Sequence, residues 1–315
     1  MTTFGISLSS EEHGPRALTR FADLAAEAGL TGAWVSDHFH PWIDEQGESP
    51  MVWPVLGAIA ASQPQLRLGT GVTCPTMRIH PAICAQGAAT VAAMSEGGFF
   101  FGVGSGENLN EHILGDRWPP IDVRLEMLEE AVDVMRQMWT GEIVNHHGRH
   151  YTVEHARLYT LPDEPPPVYV SAFGPKAIAL AARIGDGLVS TSPEPDAVSQ
   201  YREQGGKGPA VAGAKVCWAD SEEEARKLAH RLWPNMGLPG QLSQDLATPE
   251  HFMQASELVP EDAVTSIPLG PDPDRHAESL KGYVDAGFDE VYVQQIGGDQ
   301  EGWLRFFTTE VLPRL

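Results

Sequence analysis

Lysine is scarce in this chain of 315 residues: there are five, Lys176, Lys207, Lys215, Lys227 and Lys281. Its 21 Lys+Arg stand against 43 Asp+Glu, a net charge of −22 at pH 7. That balance excludes nucleic-acid binding, which needs basic surface to displace counterions. It also excludes docking on anionic membranes. Cysteine is nearly missing too. The three, Cys74, Cys84 and Cys217, are odd in number and fit neither a disulfide framework nor a zinc pattern. No run approaches the ~18 apolar residues of a spanning helix. Residues 1–10 lack the basic region and apolar stretch of a secretory signal. The expectation is a cytoplasmic protein kept reduced. With 42% hydrophobic residues the chain can bury a sizeable core.

What the sequence has is alternation. Short β-branched or aromatic runs, at 4–8, 33–36, 66–72, 99–103, 168–172, 187–191, 214–218 and 290–294, are each followed by a stretch of helical period. Strands separated by helices imply parallel pairing through right-handed crossovers. Eight such units predict an α/β fold, a closed (β/α)8 barrel in one domain spanning 1–315. Two insertions interrupt it, near 141–167 and 234–273. The first contains a hairpin pattern, and the run 264–269 of the second reads as an extra strand. An open doubly wound sheet is weaker, because no Gly-x-Gly-x-x-Gly turn follows the first strand.

In such barrels the active residues lie just past the strand C-termini. After the second strand comes Ser-Asp-His-Phe-His-Pro-Trp (36–42), after the third Gly-Thr-Gly-Val-Thr-Cys-Pro-Thr (69–76), and after the fourth Gly-Ser-Gly-Glu-Asn-Leu-Asn (104–110). The glycines let a planar or phosphorylated ligand approach the backbone. Ser-Ala-Phe-Gly-Pro-Lys (171–176) leads into a helix N-terminus, a ready anion site. Thr191 and Ser192 follow the sixth strand. A His-x-His pair also opens metal-dependent hydrolase sites. Those need further His or Asp ligands at later strand ends, which here present a single Asp, Asp220, and no His. No metal is expected.

These segments, with His-Pro-Ala-Ile-Cys-Ala-Gln (80–86), Met-Arg-Gln-Met-Trp-Thr-Gly (135–141) and Pro-Val-Tyr-Val-Ser-Ala-Phe-Gly-Pro (167–175), carry a resemblance. The chain resembles the coenzyme F420-dependent branch of the luciferase-like superfamily, and within it the F420-dependent glucose-6-phosphate dehydrogenases. The resemblance implies a homodimer of barrels using a 5-deazaflavin, an obligate hydride carrier, on a small-molecule substrate. It implies that His38 and Glu107 are the acid/base pair, that Trp42 walls the substrate pocket, and that Glu11 and Thr191 lie beside the substrate. It implies that Asp37, Cys74, Ser105, Gly106, Asn110, Phe173, Gly174, Lys176 and Ala177 hold the cofactor. Gly71 and Val72 fall where the family has a cis peptide bond behind the ring. The mechanism implied is alcohol oxidation, with His38 accepting the hydroxyl proton and Glu107 balancing the proton at the deazaflavin. The opposite assignment of acid and base, and the reverse reaction, use the same parts.

The chain also departs from the pattern. The family's two lysines and one arginine for the substrate phosphate fall at Pro193-Glu194, Gln241 to Gln244 and Thr265 to Ile267, so none survives. A glutamate at such a position repels an anion. The expectation is an F420-dependent oxidoreductase whose substrate is not glucose-6-phosphate. A neutral or lipophilic alcohol or ketone is the alternative, with Trp233, Pro234, Met236, Leu238 and Phe252 as candidate apolar lining. Two other readings share the barrel: an FMN-dependent monooxygenase, and a non-enzymatic flavin-binding protein.

Overall fold

The computed structural model describes residues 2–191, 193, 195–264 and 266–315. Among these residues ten strands form: β1 (Thr3–Leu8), β2 (Gly32–Val35), β3 (Arg67–Thr70), β4 (Phe99–Val103), β5 (Val144–His147), β6 (Thr152–Ala156), β7 (Val168–Ser171), β8 (Gly187–Ser190), β9 (Ala210–Val216) and β10 (Glu290–Gln295). Eight of them close into a parallel barrel in the ring order β1-β10-β9-β8-β7-β4-β3-β2, while β5 and β6 pair as a separate antiparallel hairpin.

The helices are α1 (Pro15–Glu27), α2 (Val52–Ser62), α3 (Pro81–Met94), α4 (Asn108–Glu111), α5 (Ile121–Met138), α6 (Pro175–Ile184), α7 (Pro195–Glu203), α8 (Glu222–Leu232), α9 (Leu242–Asp245), α10 (Pro249–Ser256), α11 (Pro273–Asp285) and α12 (Gln300–Phe306). Proline opens many of them, where its missing N–H costs no hydrogen bond. Caps come from side chains: the Ser221 hydroxyl accepts from the Glu224 N–H and the Thr248 hydroxyl from the His251 N–H. Among the described residues no helix is long and apolar enough to cross a membrane.

Three apolar clusters result. The largest lies between the barrel and its ring of helices. A second fills the barrel, where Trp34, Phe100, Tyr169 and Tyr292 stack; Trp34 lies 5.0 Å from Tyr292 and Phe100 4.9 Å from Tyr169. At the N-terminal end Arg67 pairs with Glu290 at 3.1 Å and lies over the Phe100 ring. This aromatic filling dictates glycine on the neighbouring strand. A Cβ at Gly69 would lie 2.1 Å from the Phe100 ring. The third cluster caps the C-terminal mouth and joins Trp42, Ile43 and Leu109 to Trp233, Phe252 and Val264.

Three expectations need correction. Among the described residues of the run 264–269 no strand forms: Glu261–Val264 is a 3-10 turn, and Leu269 makes an isolated bridge to Cys217. Proline at 268 and glycine at 270 stop an extended ladder there. The crossover from β9 to β10 is α11, which buries His276, Ala277, Leu280 and Tyr283. The anticipated crossover α8 instead packs into the mouth cluster through Ala225 and Ala229. The ninth strand also begins four residues earlier than the run 214–218 suggests. Glycine at 213 leaves room for the Trp34 ring: a Cβ there would approach it to 2.6 Å.

Candidate active site

The strand C-termini open into two adjoining chambers. One, of about 590 Å³, lies between the loops after β3, β4 and β7 and is lined by Asp37, Val72, Cys74, Gly106, Phe173 and Lys176 among others. Ser105, Asn110, Gly174 and Ala177 share that wall. The other, of about 440 Å³, lies over Trp34 and is lined by Glu11, His38, Trp42, Thr191 and Trp233. Gly71 faces this second chamber and Val72 the first; the bond joining them is cis. Glu107, Phe173, Gly240 and Gln244 line both.

His38 stands at the junction. Its Nε2 is 3.5 Å from Glu11 Oε1 and 3.5 Å from Glu107 Oε2. Its Nδ1 is 3.2 Å from the His40 carbonyl and 3.2 Å from Asn110 Nδ2. The ring leans against Trp42, centroids 5.0 Å apart, and Trp42 in turn meets Phe252 edge-on. Asn110 fixes the whole loop. Its Oδ1 accepts from the Phe39 and His40 N–H groups, and its Nδ2 donates to Glu107 Oε2 at 3.1 Å. His40 turns away from His38: its Nδ1 lies 2.9 Å from the Leu109 carbonyl, and its ring stacks on His112. The His-x-His pair therefore does not converge on one centre.

The two carboxylates flanking His38 differ. Burial pushes Glu11 up, but His38 and the hydroxyls of Ser36 and Ser9 outweigh it and hold Glu11 below the usual carboxylate range. Burial wins at Glu107 and raises it, against the pull of His38 and with the push of Glu11. One site thus holds a carboxylate shifted down and one shifted up on either side of an imidazole, an arrangement suited to proton transfer.

Behind the larger chamber Asp37 is fully buried. Its Oδ1 takes the Arg78 guanidinium at 3.0 Å, while its Oδ2 has no partner. Glu111 accepts the Arg78 backbone N–H at 2.8 Å. Gly106 adopts φ +83°, and a Cβ there would lie 2.6 Å from Cys74 Sγ. Cys74 is buried with Sγ 3.0 Å from Thr76 Oγ1, and burial pushes its thiol well above the ordinary range. Gly174 caps α6 without a side-chain partner, leaving N–H groups of that helix free for an anion. Lys176 is engaged by Asp122 at 2.6 Å on the surface.

Trp233, Met236 and Leu238 line the smaller chamber, whereas Phe252 supports Trp42 from behind. Ser192, Glu194 and Thr265 lie outside the described residues. The sequence reading missed Arg78, Glu111, Glu12 and Lys215. A lysine inside an otherwise apolar strand was the available signal for the last.

These features place the chain in a known family: it belongs to the luciferase-like monooxygenases, whose family model matches residues 1–290. It is 35% identical to an F420-dependent glucose-6-phosphate dehydrogenase of Microbacterium testaceum, over 99% of this chain and 97% of that protein. It is 36% identical to one of Kribbella flavida over 99% and 97%. Among solved structures it is similar to an F420-dependent secondary alcohol dehydrogenase in complex with an F420-acetone adduct, with TM-score 0.90, 28% identity, and 99% and 98% of the two chains covered.

Proposed function

We propose that the chain is an F420-dependent oxidoreductase that interconverts a secondary alcohol and its carbonyl. The observation that carries this is His38 between Glu11 and Glu107, at the waist joining a cofactor-sized chamber to a smaller one. The larger chamber fits a flat ring with an anionic tail. Val72, Ile121 and Leu125 offer apolar wall, Asp37 Oδ2 an unmet acceptor, Gly106 a close backbone approach and α6 its open N-terminus. When bound, the deazaflavin supplies two-electron hydride chemistry.

The protein's own residues handle protons and position. With Nδ1–H donated to the His40 carbonyl, His38 Nε2 is free to take the substrate hydroxyl proton. Ionised Glu11 favours the imidazolium so formed. Glu107 keeps a proton available at the edge shared by both chambers. Trp42 and Trp233 exclude water around the reacting carbon.

Glucose-6-phosphate is not the substrate in this reading. The second of the family's phosphate positions here carries Gln241 and Gln244, neutral residues. The chain works as one domain and as a homodimer, for which light scattering would give twice 34.2 kDa. The test is titration of the purified protein with F420 and, separately, with FMN, followed by cofactor fluorescence. Tight F420 binding, weak FMN binding and loss of F420 absorbance on adding alcohols are expected. Preferential FMN binding would overturn the cofactor assignment, and efficient glucose-6-phosphate turnover the substrate claim.

A further inference from the structure

The smaller chamber holds a charge that alcohol oxidation does not require. Lys215, on β9, lines it beside Gly213 and Ala214. Its ammonium lies 4.6 Å over the Trp233 ring. Among the described residues it makes no hydrogen bond or ion pair. Burial lowers its pKa, and the carboxylates of Glu11, Glu12 and Glu107 oppose that shift from a distance.

Those carboxylates are committed elsewhere. Glu11 is held by Ser9, Ser36 and His38. Glu12 accepts from Trp233 Nε1 at 2.7 Å, Gln294 Nε2 at 3.3 Å and the Gly297 N–H at 2.8 Å. Glu107 is held by Asn110 and His38. An ammonium has three donors and no acceptor; Lys215 is half-buried, and none of its three donors meets a protein acceptor among the described residues, so a ligand oxygen entering the chamber can take one. Carboxylate fits better than a neutral hydroxyl, because it accepts the ammonium's hydrogen bond and also neutralises its charge. It also fits better than phosphate. No arginine and no helix N-terminus joins Lys215 among the described lining, which sets Trp34, Trp42, Trp233, Met236 and Leu238 beside neutral polar groups such as Asn235 and Gln294.

We propose that Lys215 receives the carboxylate of a short hydroxy acid whose secondary hydroxyl meets His38, making the substrate pair a hydroxy acid and its keto acid. This rests on the oxidoreductase reading above. Oxidation takes one hydride from the carbinol carbon, to the deazaflavin, and one proton from its oxygen, to His38, leaving the ketone. Lys215 touches the substrate but not the reacting atoms, so it sets specificity.

The test compares matched pairs on F420-loaded protein: lactate with 2-propanol, 3-hydroxybutyrate with 2-butanol, and 4-hydroxyvalerate with 2-pentanol. Each pair differs only by a terminal carboxylate in place of a methyl. For at least one spacing the acid is expected to have a kcat/KM about tenfold to a hundredfold above its partner, mainly through KM. Lys215→Met abolishes the preference and Lys215→Arg keeps part of it. Preference for the neutral partner at every spacing, no turnover of any pair, or a preference that survives Lys215→Met overturns the proposal.

A second readout needs no cofactor. Butyrate, but not 1-butanol, is expected to change tryptophan emission saturably in the unloaded protein, and Lys215→Met to lose the change. Absence of a saturable change in the wild type, or its persistence in the variant, overturns the proposal. Should F420 fail to bind, the oxidoreductase reading falls while the butyrate titration still decides the role of Lys215. Should Lys215→Met fail to fold, the wild-type pairs and the butyrate comparison decide it.

Discussion

Behind the larger chamber one guanidinium serves two buried carboxylates. Arg78 lies 3.0 Å from Asp37 Oδ1 and 3.6 Å from Glu111 Oε1, with all three side chains at most 8% exposed. A single cation cannot compensate both anions away from water. Burial raises Glu111 from 4.5 to about 7, against the pull of Arg78. The unfolded chain therefore releases this proton at lower pH than the folded one. Stability contributed by the protonated carboxyl is fully present below about pH 4.5 and falls as pH rises toward about 7, a loss of about 3 kcal/mol. Glu111→Gln keeps an acceptor for the Arg78 N–H and cannot ionise. At about pH 5 the variant should match the wild type; at about pH 8 it should be more stable by up to about 3 kcal/mol. Urea unfolding followed by tryptophan emission across that range reads the difference as a shift in midpoint at constant slope. A variant less stable than the wild type at the alkaline end would show that ionising Glu111 costs the fold nothing and that Arg78 compensates both carboxylates.

Three further outcomes follow from the geometry. His38→Ala should lower turnover by about 10²–10⁴-fold while F420 affinity, measured by fluorescence, stays near wild type; comparable turnover would remove His38 from proton transfer. Asn110→Ala strips the 37–40 loop of its central partner and should cost about 2–3 kcal/mol in urea unfolding, with kcat falling more than F420 affinity. Gly69→Ala places a methyl inside the Phe100 ring's volume and should destabilise by at least about 2 kcal/mol, a value the same assay would contradict if the barrel absorbed it freely.

The barrel was legible because its strands advertise themselves. Phe99–Val103 and Glu290–Gln295 are β-branched or aromatic, and proline or glycine marks the helix ends around them. The dense Asp-His-x-His-x-Trp and Gly-Ser-Gly-Glu runs likewise put chemistry at strand ends, where a barrel collects it. Period alone could not reveal α11 behind a stretch rich in proline and glycine. Nor could it show that α8 turns toward the mouth, since an amphipathic helix looks the same whichever apolar surface it meets. Arg78 and Lys215 escaped for a different reason. Each reads as an ordinary surface charge until the fold encloses it, and enclosure depends on segments distant in sequence, such as Asp37 for the first and Trp233 for the second.

The stacked rings of Trp34, Phe100, Tyr169 and Tyr292, sealed below by Arg67 and Glu290, make this barrel a vessel with a solid floor. With the floor closed, cofactor and substrate meet the two chambers at the strand C-termini, where Phe173, Gly240 and Gln244 line both. A shared wall means that what fills one chamber shapes what the other can hold. The segment around residues 234–246 supplies Met236, Leu238, Ser243 and Gln244 to that lining, so the choice of guest is written in an insertion while the strands beneath supply the floor.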